Sequence, residues 1–318
     1  MKRALVTGGM GFIGGAIVRK LVQDGVEVVI MDSMLDPNLR MLDTGFNGRC
    51  SFIASDCRTP ETWDNLEGEF DAVFHYAAHY ANEKSLAEPM RNVSINMLGT
   101  MAALKFCRDR QVAAMVYASS SGVYGSVDGA AYAENNPPRP ATPYEVTKYS
   151  GELLCEGWCN IYGIRLVAPR YFNVYGPGDV PGVWRAVIPN FTKKAIHGEE
   201  IVVTGPKASR DFTFIDDAVT LTLAGLRRVT EAPSPIQLIY NVGTGTEVFI
   251  KHLADTIKEI YQSASKITVT EMRHWDNAPR RVADCHKVQA LFPGEFSGMR
   301  RIEEGLRLSQ AWYQKVCR

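Results

Sequence analysis

The chain has 318 residues, of which 46% are hydrophobic and 22% are charged; these values are ordinary for a globular protein and exclude global disorder. Its 35 basic and 35 acidic side chains give a formal net charge of zero, which excludes the overall basic field of a general nucleic-acid or anionic-membrane binder. No run approaches the roughly 18 consecutive apolar residues of a membrane-spanning helix. We expect a cytoplasmic protein with no nucleic-acid or membrane partner.

Short apolar runs alternate with helical patterns through the first half of the chain. Helical spacing is clearest at Ile13, Ile17 and Leu21, and long helices are expected over residues 92–109 and 144–162. Strands are predicted at residues 3–7, 26–31, 51–54, 71–75, 113–118, 164–169 and 238–242. Strands that alternate with helices indicate a doubly wound α/β fold, in which helices cover both faces of a parallel sheet.

The regular alternation ends near residue 175. Glycine and proline at 176–178 and 181–182 predict a long loop, and the last third contains two helical stretches, at 252–262 and 302–315. We therefore predict a first domain over residues 1–175, to which residues 211–245 return. A smaller α/β C-terminal domain would comprise 176–210 and 246–318.

Seven cysteines are scattered along the chain, and no CxxC pair occurs. An odd, scattered set is not a disulfide framework, so reduced thiols are expected. No second pair of potential ligands has usable spacing for zinc, and we predict no metal site.

Three glycines, Gly8, Gly11 and Gly14, lie between the first predicted strand and the first predicted helix. Glycines at this turn allow the backbone to approach a pyrophosphate, and the following helix N-terminus favours negative charge. Asp32 ends the second strand, where a carboxylate accepts hydrogen bonds from adenosine ribose hydroxyls and repels a 2′-phosphate. The pattern predicts a dinucleotide site that prefers NAD to NADP.

Tyr144 and Lys148 lie four residues apart on one face of a predicted helix. Thr142 is its expected N-cap, Pro143 its first residue and Glu145 the capping-box partner. A cation and a helix N-terminus both favour the phenolate form of Tyr144, which would make it a base near neutral pH. Ser119-Ser120-Ser121 follows the fifth strand, at the sheet edge where open α/β folds place their chemistry.

With these motifs in place, the sequence resembles the extended short-chain dehydrogenase/reductases of the NAD-dependent nucleotide-sugar epimerase/dehydratase type, including UDP-glucose 4-epimerases. The resemblance covers nearly the whole chain. It rests on ordered motifs: TGGMGFIG, HYAAHYANEKSLAEP, INMLGT, SSSGVYG, PYEVTK, RYFNVYGPG, RDFTFIDD, NVGTG and GLRLSQAWY. It implies that the first domain binds NAD and the second binds a nucleotide diphosphate sugar.

The resemblance also implies roles for individual residues. The catalytic group would be Tyr144, Lys148 and Ser120, the serine three residues before the valine of VYG. Contacts to NAD would come from Gly8, Gly11, Phe12, Ile13, Gly14, Asp32, Asp56, Cys57, Ala77, Ala78, Asn96, Lys148 and Tyr171. Contacts to the substrate would come from Ser121, Asn173 and Arg210, and from a second phosphate-binding arginine for which Arg273 and Arg281 both qualify. A homodimer built on the helices at 92–109 and 144–162 is expected.

One departure from the family bears on the reaction. The 4,6-dehydratases carry an acidic pair directly after the catalytic serine or threonine, whereas this chain has Ser121 and Gly122. Dehydration is therefore disfavoured, and the leading prediction is epimerisation at C4 through a 4-keto sugar. The alternatives are a net keto-sugar reductase or dehydrogenase, and a non-catalytic NAD-binding sensor.

Overall fold

The structure is a computed structural model that describes residues 1–34, 48–127, 131–184, 186–273, 276 and 278–317. The β-strands are β1 (Arg3–Thr7), β2 (Glu27–Asp32), β3 (Cys50–Ala54), β4 (Ala72–His75), β5 (Ala114–Tyr117), β6 (Ser119–Ser120), β7 (Arg165–Tyr171), β8 (Val174–Tyr175), β9 (Ile201–Thr204), β10 (Ser209–Arg210), β11 (Thr213–Phe214), β12 (Gln237–Val242), β13 (Val248–Phe249), β14 (Ile267–Thr270) and β15 (Arg280–Arg281).

The α-helices are α1 (Phe12–Gln23), α2 (Pro60–Asp64), α3 (Asn82–Ala87), α4 (Pro89–Val93), α5 (Gly99–Asp109), α6 (Pro143–Tyr162), α7 (Val187–His197), α8 (Ile215–Glu231), α9 (Ile250–Ile260), α10 (His286–Leu291), α11 (Pro293–Ser297) and α12 (Ile302–Val316). A π-helical turn, Ser94–Leu98, joins α4 to α5, and a 3₁₀ turn, Ser121–Tyr124, follows β6.

The central sheet has the strand order β3-β2-β1-β4-β5-β7-β12, with β6 paired to β7. Consecutive pairs from β3 to β7 are parallel. The order turns back at β1, which lies between β2 and β4, so the strand ends at β1 and β4 face the crevice where such sheets bind ligands. The predicted doubly wound parallel sheet is confirmed, and each predicted strand is present to within a few residues.

The main apolar core lies against the central sheet. Inward side chains of β1, β4 and β5, which are Leu5, Val73 and Met115, are almost completely buried. Leu104 on α5 and Cys155 on α6 pack into the same cluster. Continuous burial along the strands is expected of a parallel sheet that is covered on both faces, and it explains why these strands read as uninterrupted apolar runs.

The chain divides into two compact units. Unit 1 comprises residues 1–123, 140–170 and 219–240, and unit 2 comprises 124–139, 171–218 and 241–318. These bounds differ from the predicted ones in three ways. Residues 171–175, predicted in the first domain, group with unit 2. Residues 124–139 group with unit 2, and the stretch that returns to unit 1 is 219–240 rather than 211–245.

Unit 2 contains three small sheets: β13-β10-β15, β11-β8 and β14-β9. The helices α7, α9 and α12 pack against one another within it. Most of its strands are only two residues long, too short to show an alternating pattern in the sequence, and none of these short strands was predicted. Among its helices, α9 and α12 were predicted.

Candidate active site

The glycine loop after β1 packs directly against the backbone that follows β4. Gly8 has φ +68°, and a Cβ atom there would lie 2.5 Å from the backbone nitrogen of Ala77, so only glycine fits. Thr7 strengthens the same contact, because its hydroxyl accepts a hydrogen bond from Ala77 N–H at 3.3 Å. Ala77 is thereby held beside the loop, and the predicted contacts of Ala77 and Ala78 to NAD stay predictions.

Helix α1 begins with Phe12, Ile13 and Gly14 after the N-cap residue Gly11. No side chain caps this end, and its first turn contains no acidic residue. The first N–H groups of a helix lack intrahelical partners and attract anions. The loop and the helix start therefore fit the pyrophosphate of a dinucleotide.

Asp32, the last residue of β2, is buried at the rim of this loop. Its carboxylate accepts hydrogen bonds from the backbone N–H groups of Met10 (3.0 Å) and Met34 (2.9 Å). These bonds fix the carboxylate beside the glycine loop, and its predicted contact to the adenosine ribose stays a prediction. Residues 35–47, which follow in the chain, lie outside the described residues.

Asp56 and Cys57 follow β3 and have different surroundings. The carboxylate of Asp56 pairs with the guanidinium of Arg58 at 2.6 Å, and this hydrogen-bonded pair lowers the pKa of Asp56. Burial raises the pKa of the Cys57 thiol to about 12, so it stays protonated and unreactive at neutral pH. Thiolate chemistry at Cys57 is therefore excluded, and its predicted contact to NAD stays a prediction.

Tyr144 lies in the first turn of α6, where the predicted cap is confirmed. The Thr142 hydroxyl accepts from Glu145 N–H, and the Glu145 carboxylate accepts from Thr142 N–H. Pro143 occupies the first helical position. This reciprocal cap fixes the start of α6 and the backbone of Tyr144, whose side chain is half-buried.

Lys148 follows one turn later and is buried. Its Nζ donates to the carbonyl of Ala118 at 2.8 Å and lies 6.0 Å from the centre of the Tyr144 ring. Burial lowers the pKa of Lys148 to about 8. Within the described parts of the chain this is the one hydrogen bond of Nζ, so two of the three ammonium donors remain available to a ribose hydroxyl or a phenolate.

Ser120 ends β6 and its hydroxyl accepts a hydrogen bond from Gly122 N–H at 3.1 Å. With one lone pair engaged in this way, the O–H of Ser120 is left to donate to a substrate oxygen. Ser121, the first residue of the following 3₁₀ turn, is buried.

Asn96 lies in the π-helical turn, and its side chain is engaged within unit 1. Its amide accepts from His79 N–H at 2.7 Å and donates to His79 C=O and to the Thr147 hydroxyl. Thr147 immediately precedes Lys148, so this network ties the π turn to α6. Both amide donors of Asn96 are used here, and the predicted contact of Asn96 to NAD stays a prediction.

Sequence analysis missed a carboxylate beside Ser120. Glu145 was predicted only as a capping residue, yet its buried side chain packs over Gly122: a Cβ atom at 122 would lie 2.9 Å from Glu145 Cγ and 3.5 Å from Oε1. The same point is 3.3 Å from Ser120 Oγ. Residues 122 and 145 are distant in sequence, and the sequence around neither residue predicts that they are in contact.

Unit 2 carries the predicted phosphate-binding arginines. Strands β10 and β15 pair in parallel with Arg210 opposite Arg281. Arg210 donates to Asp276 at 2.8 Å, while burial and then the nearby charge of Arg281 lower its pKa. Arg273, by contrast, is exposed in the segment after β14. The structure therefore brings Arg281, and not Arg273, into register with Arg210.

Asn173 and Tyr171 lie at the end of β7. Tyr171 is buried, and Asn173, at φ +26°, donates to the backbone carbonyl of Asp211 at 2.9 Å. The buried carboxylate of Asp211 accepts from the N–H groups of Thr244, Gly245 and Ala283. Asp211 was not predicted, and it anchors the loops on either side of the two arginines.

The described residues contain no cluster of three or more His, Cys, Asp or Glu side chains that could hold a metal ion. Likewise, among the helices that the structure describes, none is long and apolar enough to cross a bilayer.

Comparison with known proteins decides the family. A model of the NAD dependent epimerase/dehydratase family matches residues 4–243, which is more than half of the chain. The chain belongs to this family. It is an enzyme family that acts on nucleotide sugars with NAD, and the glycine loop, Asp32 and Lys148 described above fit that cofactor.

Individual relatives carry out different reactions. The chain is 33% identical to a putative UDP-glucose 4-epimerase of Methanocaldococcus jannaschii, over 80% of this chain and 81% of the relative. It is 28% identical to a UDP-N-acetyl-alpha-D-glucosaminuronate decarboxylase of Bacillus cytotoxicus, over 99% and 98%. Among solved structures, the UDP-glucose 4-epimerase of Thermotoga maritima with UDP-glucose matches with a TM-score of 0.89 and 27% identity, over 99% of this chain and 100% of that chain.

Proposed function

We propose that the protein is an NAD-dependent nucleotide-sugar epimerase that inverts C4 of the sugar through a transient 4-keto intermediate. The observation that carries the proposal is the arrangement in unit 1: Tyr144 at the start of α6, buried Lys148 one turn later and Ser120 with a free O–H direction. No acidic residue stands at position 121 or 122.

The proposed chemistry uses these side chains for proton transfer. Tyr144 as phenolate takes the proton of the C4 hydroxyl, and the Lys148 ammonium stabilises the phenolate charge. Ser120 donates a hydrogen bond to the same oxygen and stabilises its developing charge. Bound NAD supplies a reversible hydride acceptor. In the reverse half-reaction Tyr144 returns the proton to the C4 oxygen on the inverted sugar.

The Glu145 carboxylate is not assigned a proton-transfer role in this proposal. Its oxygens accept hydrogen bonds from Ala141 N–H (2.9 Å), Thr142 N–H (3.3 Å) and the Asn82 amide (3.2 Å). An acid–base group must lie within hydrogen-bond reach of the proton that it moves, whereas both oxygens of this buried carboxylate are already engaged by donors of the protein. This favours epimerisation over elimination or decarboxylation.

For substrate binding we propose a role for each unit. Unit 1 holds NAD through the glycine loop and Asp32, and unit 2 holds the nucleotide through Arg210 and Arg281. Two neighbouring guanidinium groups repel each other, and an anionic diphosphate relieves that repulsion while accepting bidentate hydrogen bonds. Asn173 and Ser121 are further candidate contacts.

We also propose a homodimer. Helices α4 and α6 and the π turn of unit 1 bear exposed apolar side chains, among them Met90, Leu98, Leu153 and Ile161. Such faces are typical of subunit contacts. Light scattering at micromolar concentration is expected to give twice the chain mass, and a monomer would contradict the proposal.

All seven cysteine thiols are free, which supports the proposal that the protein is cytoplasmic.

The test of the reaction is product identification. UDP-, GDP-, CDP- and dTDP-sugars are incubated with the enzyme, and NMR of the mixtures reports the sugar configuration. A C4 epimer at equilibrium, with no net formation of NADH, is expected for at least one sugar. Stoichiometric consumption of NADH would instead show a net reductase, and a 4-keto-6-deoxy or decarboxylated sugar would show a different reaction.

A further inference from the structure

The side chain of Glu145 stands between two features of the proposed site. It is the third residue of α6, next to Tyr144, and its Cγ packs on Gly122 in the turn that follows Ser120. Glu145 is only 2% exposed. One buried side chain therefore contacts both the helix that carries the base and the turn that carries the hydroxyl donor.

The turn after Ser120 holds its Oγ atom in place and occupies one of its lone pairs. Gly122 N–H donates to Ser120 Oγ at 3.1 Å, and in the part of the chain that the structure describes this is the only hydrogen bond of that hydroxyl. A shift of the backbone at 122 would break this bond or turn the O–H. Since Glu145 fills the space directly above Gly122, it limits where that backbone can lie.

Glu145 is itself fixed from the opposite side. Its Oε2 accepts from Ala141 and Thr142 N–H, and its Oε1 accepts from the Asn82 amide. Asn82 is in turn held by the Thr142 hydroxyl, which donates to its Oδ1 at 3.0 Å. The side chain is thus held rigidly enough to transmit a constraint to its neighbour.

We propose that Glu145 is a positioning residue for Ser120: by packing on Gly122 it fixes the turn that orients the Ser120 hydroxyl toward the reacting sugar oxygen. This inference rests on the proposed role of Ser120. The Glu145 side chain occupies the space that a side chain at position 122 would need. Gly122 has an ordinary negative φ, so alanine is disfavoured there by contacts alone, chiefly the one to Glu145 Cγ at 2.9 Å and to a smaller degree the one to Ser120 Oγ at 3.3 Å.

The experiment is a mutant cycle of Gly122→Ala and Glu145→Ala, measured as kcat and KM on a sugar that the unaltered enzyme converts. Each single change should lower kcat about tenfold with KM within about twofold, because hydroxyl orientation is lost while binding remains. The double variant should recover to within about threefold, because the added methyl group occupies the vacated space. Additive losses would overturn the proposal.

Three further variants separate positioning from other roles. In a Ser120→Ala background, Glu145→Ala should change kcat less than about twofold, since the hydroxyl that it positions is gone; an undiminished loss there would overturn the proposal. Glu145→Gln keeps the length of the side chain and should stay near unaltered activity, with the same pH profile. If it lost as much as Glu145→Ala, the charge and not the packing would be what matters.

Thr142→Val is the matched control. It removes the other half of the same capping box and the hydroxyl that holds Asn82, but it leaves the Glu145 side chain on Gly122, with Oε2 still held by the backbone N–H groups of Ala141 and Thr142. It should lower the melting temperature about as much as Glu145→Ala does but leave kcat within about twofold; an equal loss of kcat would overturn the proposal. A failure of the proposed C4 chemistry appears separately, in the product of the unaltered enzyme, and the melting temperatures of the Gly122/Glu145 cycle test the shared space whatever the reaction.

Discussion

The cationic side chains of the two candidate sites in this protein have opposite surroundings. In the reacting cluster (Ser120, Tyr144 and Lys148), Lys148 is buried and forms no ion pair with any residue that the structure describes. In the arginine cluster (Arg210, Arg280 and Arg281), Arg210 pairs with Asp276 and Arg280 with Glu247.

This difference in environment suits two kinds of chemistry. Burial without a carboxylate partner lowers the pKa of Lys148 to about 8, which is close to the neutral pH at which the proposed proton transfer takes place. Arginines keep their charge under any physiological condition, and the carboxylates of Asp276 and Glu247 hold the guanidinium groups of Arg210 and Arg280 in place. The reacting cluster is thus adjusted for moving protons and the arginine cluster for binding an anion.

The largest expected effect comes from removing the base. Tyr144→Phe keeps the ring and the α6 cap but removes the hydroxyl, and it should lower kcat by roughly 10²–10⁴ with an unchanged melting temperature. Steady-state turnover of the converted sugar measures this. Unchanged turnover would remove Tyr144 from the mechanism.

Lys148→Met tests whether the buried charge of Lys148 lowers the free energy of unfolding. The pKa of Lys148 falls from 10.5 to about 8 on folding, so the unfolded chain holds the proton more tightly, and the charged side chain destabilises the fold at pH 7. The variant should be inactive yet gain up to about 3 kcal/mol in free energy of unfolding, less the loss of the bond to Ala118 C=O.

The sign of this effect can be followed with pH. The destabilisation by Lys148 is complete below about pH 8 and disappears as the pH rises toward 10.5, where the folded and unfolded chains are both deprotonated. Urea midpoints at pH 7 and pH 10 should therefore show a large gain for Lys148→Met at pH 7 and a small one at pH 10. A variant less stable than the unaltered protein at pH 7 would contradict this account.

Arg281→Met and Arg273→Met form a matched pair for the arginine cluster. If Arg281 binds the substrate diphosphate, its loss should raise KM by about 10- to 100-fold with kcat within about threefold, the value of one or two charge-assisted hydrogen bonds. Arg273→Met should change KM less than about twofold. The reverse order would show that strand register with Arg210 is not what selects the ligand arginine.

The smallest expected effect concerns the cofactor. Because Asp32 is fixed by two backbone N–H groups, its carboxylate should repel a 2′-phosphate, and NAD should bind at least about tenfold more tightly than NADP. Calorimetry with the two dinucleotides measures the ratio, and Asp32→Ser should narrow it. Equal affinities in the unaltered protein would contradict the role of Asp32.

The two clusters also differ in how far the sequence predicts them. Tyr144 and Lys148 are four residues apart on one helix, and helical periodicity alone places them on one face. The glycine loop follows from its position between a strand and a helix. The arginine cluster depends on pairing of the two-residue strands β10 and β15, which carry no periodic signal, and this is why the sequence left Arg273 and Arg281 unresolved.

Glu145 shows the same limit within unit 1. Its capping role was predictable from the spacing to Thr142, and the structure confirms it. Its contact with Gly122 depends on how the turn after β6 packs on the start of α6, which is a tertiary feature. Sequence spacing predicts contacts within one helix or strand, whereas contacts between separate elements are known only from the structure.

The central claim, that chemistry is confined to C4, is tested most directly in deuterated water. The enzyme is incubated with a converted nucleotide sugar until the epimers reach equilibrium, and NMR then reads the hydrogen content at C4 and C5. The account predicts that both positions keep their original hydrogen, because Tyr144 exchanges only the hydroxyl proton. Deuterium at C5 would show proton abstraction there, as elimination requires, and would contradict the account.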